Sequence, residues 1–430
     1  MNRLSLVVIT IAVSLSSIHS GCVKSEAADE EQQEPVKRPP RNPSKPKPGA
    51  GNSPRRPGGS VVPDASGVNM TPSAPIMDET SAITECQQLE KRVQGDRLVI
   101  RDYKESKTGS CPLDLPNTAV SDSITHHPRS VNVYFVRHGE STWNEYTKKD
   151  FTEQFAKRTP RLTDAHLSRA GIESVAQLRE KLFHADCSFE ENEDVCFLAG
   201  NPESGNGRRV IYATSNLRRA VLTTLILFKD RLKGTKGAQE TGRRLIKDIH
   251  ILSSLQEFST NIDSEPVTPL GEIPYLTYAL NGDNMCPFEV EAMKALFSVQ
   301  CNKENVNLRD EPAVPILREF CRWVHYMSEN GVHGEEIVPV SAISKGATDI
   351  VIVGHSIWFR QFYNLFSVKI TKDPIAQEIK SSFQKISNQA IVKFELNLEH
   401  ADDGQKSCSV APHTTKMVNG KLQNRYVLIR

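Results

Sequence analysis

The chain has 430 residues and a formal net charge of +1, from 53 Lys and Arg against 52 Asp and Glu. That length is ample for a sizeable buried core. The charge balance gives no electrostatic case for nucleic acid or an anionic membrane as partner. In chain order, Arg3, the apolar stretch Leu4–Ile18 and the small residues up to Ser20 read as a secretory signal over residues 1–20. The apolar run is shorter than the roughly 20 residues that span a bilayer, so a stable membrane span is not expected. Lipid attachment at Cys22, after Ser20-Gly21, is a weaker reading.

Residues 21–82 begin with an acidic patch and continue as a run of Pro, Lys and Arg from Pro35 through Pro63. Such a segment buries too little apolar surface to offset its ordering entropy, which predicts a disordered, Pro-rich, basic linker. Pro40-Arg41-Asn42-Pro43 has the spacing of a ligand for a polyproline-recognising domain, although composition favours a solvated stalk. Asn69-Met70-Thr71 is a glycosylation acceptor triplet.

Folded sequence is expected over 83–430, with the core at about 130–400. Leu98–Ile100 reads as an early strand and Cys111–His127 as an irregular approach. From Val131 onward strands and helices alternate, which argues for an α/β fold with a mostly parallel sheet covered on both faces. Val131–Val136, Val210–Ala213 and Asp349–Val353 are the buried strands. Ser168 caps a helix to about Phe183, a second helix runs from Leu217 to about Leu232, and Pro315 opens a third. An aromatic helix from Trp358 to Phe366 follows the last buried strand, and Ile391–Leu396 and Tyr426–Ile429 close the sheet. Glu190–Gly207 and Thr260–Pro312 are long for connections and read as insertions at the rim.

Apart from Cys22 there are eight cysteines, an even number that suits disulfides in an oxidising compartment. Cys187 with Cys196, and Cys286 with Cys301, lie close enough in sequence to staple local loops. No Cys-x-x-Cys spacing indicates a metal centre, and neither a metal nor an organic cofactor is expected.

Three of the strands end in chemistry-bearing residues: Arg137-His138, Thr214-Ser215 with Arg218-Arg219 beyond, and Gly354-His355. Parallel strands bring such ends to one edge, where open α/β sheets bind ligands. After Arg137-His138, Gly139 is read as the residue of a tight turn. Two histidines, several guanidinium groups and hydroxyls at one edge make an anion pocket able to do covalent phosphoryl chemistry.

Arg137-His138-Gly139-Glu140-Ser141-Thr142-Trp143-Asn144 resembles the Arg-His-Gly signature of the histidine phosphatase superfamily, also called phosphoglycerate mutase-like. The resemblance continues in order through Thr163–Gly171, Thr214–Thr223, Leu255-Gln256-Glu257 and Gly354-His355-Ser356, and spans about 131–396. It implies a three-layer α/β/α fold with a mostly parallel central sheet. It makes His138 the nucleophile that becomes phosphorylated, which needs a neutral imidazole with one nitrogen open and the other N–H held by a backbone carbonyl. Arg137 and Arg219 would clamp phosphoryl oxygens, with Asn144 adding a donor and His355 stabilising the equatorial charge. Glu257 would protonate the leaving alkoxide and then activate water. Arg218 falls outside the motif and reads as a solvated helix residue. Ser356 stands where many members have Gly, and would offer its hydroxyl to the phosphate or cap the next helix.

Glycolytic mutases of this family usually follow the acid with Arg-His-Tyr-Gly, whereas Glu257 is followed by Phe258-Ser259-Thr260-Asn261-Ile262-Asp263. The reading is therefore an exported, metal-independent hydrolase of a phosphorylated small molecule or phosphopeptide. The alternatives are a mutase-type phosphoryl transferase, or an exported binding protein that uses the fold for its surface.

Overall fold

Along the run Val131–Val136 alternate side chains enter two different cores, as the two-residue period of a strand requires. Val133 and Phe135 pack with Ile211, Ala213, Ile350 and Ile352. Tyr134 and Val136 pack with Val210, Tyr212, Val351 and Val353. These strands are apolar on both sides because both sides are buried. The computed structural model describes residues 84, 86–89, 111, 113, 129–148, 162–204, 208–235, 238–259, 261–268, 271–281, 284–287, 296–302, 313–329, 348–367, 384–400, 406–420 and 422–424. The expected signal, linker, polyproline motif, glycosylation acceptor, and the strands at 98–100 and 426–429 lie outside the described residues.

The strands are β1 (Arg129–Arg137), β2 (Arg209–Ser215), β3 (Ile249–Leu252), β4 (Thr277–Asn281), β5 (Asn284–Pro287), β6 (Phe297–Ser298), β7 (Thr348–Gly354), β8 (Gln384–Ile386), β9 (Ile391–His400), β10 (Lys406–Val410), β11 (Lys416–Asn419) and β12 (Leu422–Asn424). The helices are α1 (Thr142–Lys148), α2 (Arg169–Phe183), α3 (Glu193–Leu198), α4 (Arg218–Leu227), α5 (Ala313–Glu329) and α6 (Ser356–Phe366). The central sheet runs β10-β9-β1-β7-β2-β3-β6, with β11 also paired to β9. The segment β1-β7-β2-β3-β6 is parallel, and β9 joins β1 antiparallel. This is a mixed α/β fold with a mostly parallel central sheet.

Helix α2 starts where its cap predicts. The Ser168 hydroxyl accepts from the Gly171 N–H at 3.0 Å, and Ile172, Val175, Leu178 and Leu182 are buried on one side. Helix α4 stops at Leu227, short of the expected Leu232, because the chain tightens into a 3-10 turn at Lys229–Arg231. Pro315 lies in the first turn of α5. The aromatic stripe of α6 is core, with Trp358, Phe359, Phe362 and Tyr363 buried and Phe359 stacked on Phe135 at 4.4 Å between ring centroids. No helix among the described residues is long and apolar enough to cross a membrane.

Two corrections concern the cysteines and Gly139. Cys187 bonds Cys196 as expected, but Cys286 bonds Cys86 and Cys301 bonds Cys111. Sequence nearness misled there, because Cys286 lies within the β4–β5 hairpin while Cys301 follows β6 at the edge of the central sheet. Cys321 bonds Cys408. The Thr260–Pro312 segment therefore supplies an edge strand, β6, and the anchor of two disulfides, beyond decorating a rim. Gly139, for its part, is outside the left-handed φ region. It is small because α2 presses on it: a Cβ there would lie 2.7 Å from Val175 Cγ2, and a Cβ on Gly171 would lie 2.0 Å from the Glu140 carbonyl oxygen.

Gly171 thus lets α2 touch the backbone that follows His138. Since the obstacle to a methyl group is backbone, Gly171→Ala is expected to destabilise the fold by about 3 kcal/mol, the upper range for overpacking. A denaturant midpoint shifted by less than a third of that would refute the close approach.

Candidate active site

The strand register aligns the site. Arg137 is level with Gly354, Val353 with Thr214, and Ser215 with Leu252. The residues just past those strand ends are His138, His355, Asn216 and Ser253, so one edge of the sheet gathers all the predicted chemistry.

His138 is 3% exposed, and its Nδ1–H donates to the Gly139 carbonyl at 2.6 Å, which leaves Nε2 as the second ring nitrogen. Burial first, then the charges of Arg219, His355 and Arg137, hold its pKa well below the usual imidazole range. His355 sits 5.0 Å from His138 between ring centroids. Its pKa is likewise held well below the usual range, by burial and then by Arg219 and Arg137. Both rings are thus biased toward the neutral form.

Arg137 donates from Nη1 to the Ile386 carbonyl at 2.6 Å. Burial pulls its pKa down to about 10, against the attraction of Glu257. Arg219, 1% exposed, donates from Nη1 to the Asp263 carbonyl at 2.5 Å and places Nη2 3.3 Å from Asp263 Oδ2. Three buried nitrogens at this edge, Arg137 Nε, Arg219 Nε and His355 Nδ1, have no hydrogen-bond partner among the described residues. Buried polar groups are ordinarily paired, so three together mark a place for an external acceptor.

Glu257 docks on the N-terminus of α6. Its Oε1 accepts from the Trp358 N–H at 2.9 Å and the Phe258 N–H at 3.1 Å, which fixes the carboxyl group at this edge. Asn144 is oriented through its carbonyl oxygen, which accepts from Asn388 Nδ2 at 3.1 Å and the Ser141 N–H at 3.3 Å, so its amide N–H group is the end available as a donor. Asn388 Nδ2 also donates to the His138 carbonyl at 3.2 Å. Ser356 is buried at the first position of α6.

Sequence reasoning missed Asn388 and Asp263, because nothing in spacing or composition ties either to the motifs. It also underrated Ser215, whose hydroxyl lies 2.8 Å from His355 Nε2. The pair Thr214-Ser215 at a strand end was the available signal. Arg218 is not solvated: Nε donates to the Asp164 carbonyl at 3.0 Å and Nη2 to the Thr163 carbonyl at 2.9 Å, tying α4 to the segment before α2. One group of ligand-type side chains, Cys321, His325 and Cys408, comes close together, but Cys321–Cys408 is a disulfide and so offers no thiolate to a metal.

Asp164 is fully buried and has a left-handed φ of 47°. Burial raises its pKa from 3.8 to about 6, against the pull of Arg218 and Arg219. The folded state therefore holds a proton that the unfolded chain releases, and stability contributed by this group falls as pH rises from about 4 to 6. Asn tolerates left-handed backbone and mimics the protonated acid. Because Oδ1 accepts from the Arg218 N–H and Oδ2 from the Val267 N–H, Asp164→Asn is expected to lose one acceptor and to abolish this group's fall in stability between pH 4 and 6. Urea titrations at the two pH values check this.

No family profile matches the sequence, and no curated protein matches it. Solved structures do. Phosphoglycerate mutase from Bacillus anthracis str. Sterne is 11% identical, with 66% of this chain and 93% of that one covered at a TM-score of 0.28. A candidate alpha-ribazole-5'-P phosphatase from Escherichia coli str. K-12 substr. MG1655 is 15% identical, with 66% and 98% covered at a TM-score of 0.27. Its structural neighbours are thus a mutase and a phosphatase.

Proposed function

We infer that this chain is a phosphomonoester hydrolase of the phosphoglycerate mutase-like fold that works through a phosphohistidine on His138. The observation that carries the reading is three buried nitrogens, on Arg137, Arg219 and His355, that lack a partner among the described residues at the edge where His138 has its Nδ1 already committed. A phosphoryl group brings acceptor oxygens to all three. The two cores on alternate strand residues support a three-layer α/β/α arrangement.

His138 Nε2 attacks phosphorus while the ester P–O bond breaks, and Glu257 Oε2 passes a proton to the departing alkoxide. Water then attacks the phosphohistidine, Glu257 takes back a proton, and inorganic phosphate leaves with the N–P bond broken. Arg137 and Arg219 hold the phosphoryl oxygens throughout, and Asn144 donates to one of them. Hydrolysis is favoured over a mutase cycle because Glu257 is followed by Phe258-Ser259-Thr260 and not by the Arg-His-Tyr-Gly usual in the mutases. The pairing of all eight cysteines other than Cys22 supports an exported protein.

The test is a panel of phosphosugars, phosphopeptides, inositol phosphates and nucleotides with the purified chain. Phosphate release without any bisphosphorylated primer is expected. Strict primer dependence with phosphate returned to substrate would instead establish a mutase, and no turnover of any ester would establish a binding protein.

A further inference from the structure

The hydroxyl of Ser215 is fully buried between two groups. Its oxygen accepts from the Leu217 N–H at 3.3 Å and lies 2.8 Å from His355 Nε2. The backbone N–H can only donate and takes one lone pair of Oγ, while the hydroxyl proton has one acceptor among the described residues, His355 Nε2. An imidazole that accepts at Nε2 must carry its proton at Nδ1 when neutral. Nδ1 is the nitrogen of His355 that is buried with no partner among the described residues.

We propose that Ser215 is a positioning residue that locks His355 as the Nδ1–H tautomer, a neutral hydrogen-bond donor aimed at the phosphoryl group. The catalytic part of this inference rests on the hydrolase reading above; the tautomer does not. The pairing resolves a conflict in the site. Arg137 and Arg219 resist a further positive charge, so an imidazolium at position 355 is costly, yet a phosphoryl oxygen needs a donor there. A fixed neutral tautomer supplies the donor without the charge. Ser215 is the last residue of β2 and His355 the residue after β7, so the adjacent parallel strands set the contact.

The experiment is long-range 1H–15N correlation on the full chain with 15N-labelled histidine at pH 8, the His355 signals being those absent from His355→Gln. The native protein is expected to show His355 protonated at Nδ1. Ser215→Thr should keep that pattern and the activity. Ser215→Ala should release the ring to the Nε2–H form and lower kcat by about tenfold or more, the usual scale for losing a group that orients a working histidine, with KM changed little. Native His355 protonated at Nε2 overturns the proposal without need of any variant. So does a Ser215→Ala protein that changes tautomer but keeps kcat while His138→Ala is inactive. The expected tautomer in a chain that hydrolyses no phosphomonoester upholds the Ser215 contact and removes only the hydrolase reading beneath its catalytic part.

Discussion

His138→Ala is expected to lose phosphomonoester turnover by on the order of 10^4-fold or more, the scale for removing a nucleophile from a set of residues that act as a unit. Acid-labile phosphate on the protein, trapped by quenching during turnover, should vanish with it. The size of the effect follows from the site: His355 is the one other described imidazole at this edge with guanidinium groups beside it. His355 cannot substitute, since its Nε2 is engaged by Ser215. The fold should survive, because the imidazole makes one backbone hydrogen bond and removing it leaves a small cavity, a cost within about 2 kcal/mol. Product binding should also survive in part, since Arg137 and Arg219 remain. A variant that still turns over ester at a tenth of the native rate would remove His138 from the mechanism altogether.

The second large effect is acid sensitivity. Burial and neighbouring arginines keep His138 and His355 well below their unfolded pKa of 6.5, and His166, held by burial and Arg218, is lowered to about 4. Below pH 6.5 the unfolded chain binds protons that the folded protein refuses, so stability falls as pH falls, by up to about 1.4 kcal/mol per pH unit for each histidine. Asp164 works the other way between about 4 and 6 and cancels roughly one of them. The native protein should therefore lose about 2–3 kcal/mol between pH 6 and pH 5. His138→Gln should lose about half as much, because one refused proton is gone. Urea midpoints across this range decide the matter, and a flat stability from pH 7 to pH 5 would sink it. Inorganic phosphate should offset the loss in the native chain more than in the variant.

The buried strands, the capped helix after Ser168 and the aromatic helix after His355 were legible because burial on both faces writes continuous apolar runs and capping writes a hydroxyl at a fixed place. The gathering of Arg137, His138 and His355 at one edge was legible because parallel strand ends announce it, whereas Arg219 was told from Arg218 only by its place in the motif resemblance. Asn388 and Asp263 were not, since each reaches the site through a long-range backbone arrangement that leaves no period in the sequence. The cysteine pairing was hidden for a related reason: proximity along the chain says little once β6 joins the sheet edge. Gly139 was found, but for the wrong reason, because crowding by α2 cannot be distinguished in sequence from a demand on φ.

The disulfides Cys86–Cys286 and Cys111–Cys301 close two overlapping rings, and everything between residues 111 and 286 lies inside both. That stretch holds His138, Ser215, Arg219 and Glu257. A protease that nicks the chain once within it leaves two fragments still joined by two covalent links, so the cut shows on a gel only after reduction. His355, outside both rings, has no such tether to the nucleophile. Damage to the loops of that stretch is survivable in a way that damage between residues 301 and 321 is not.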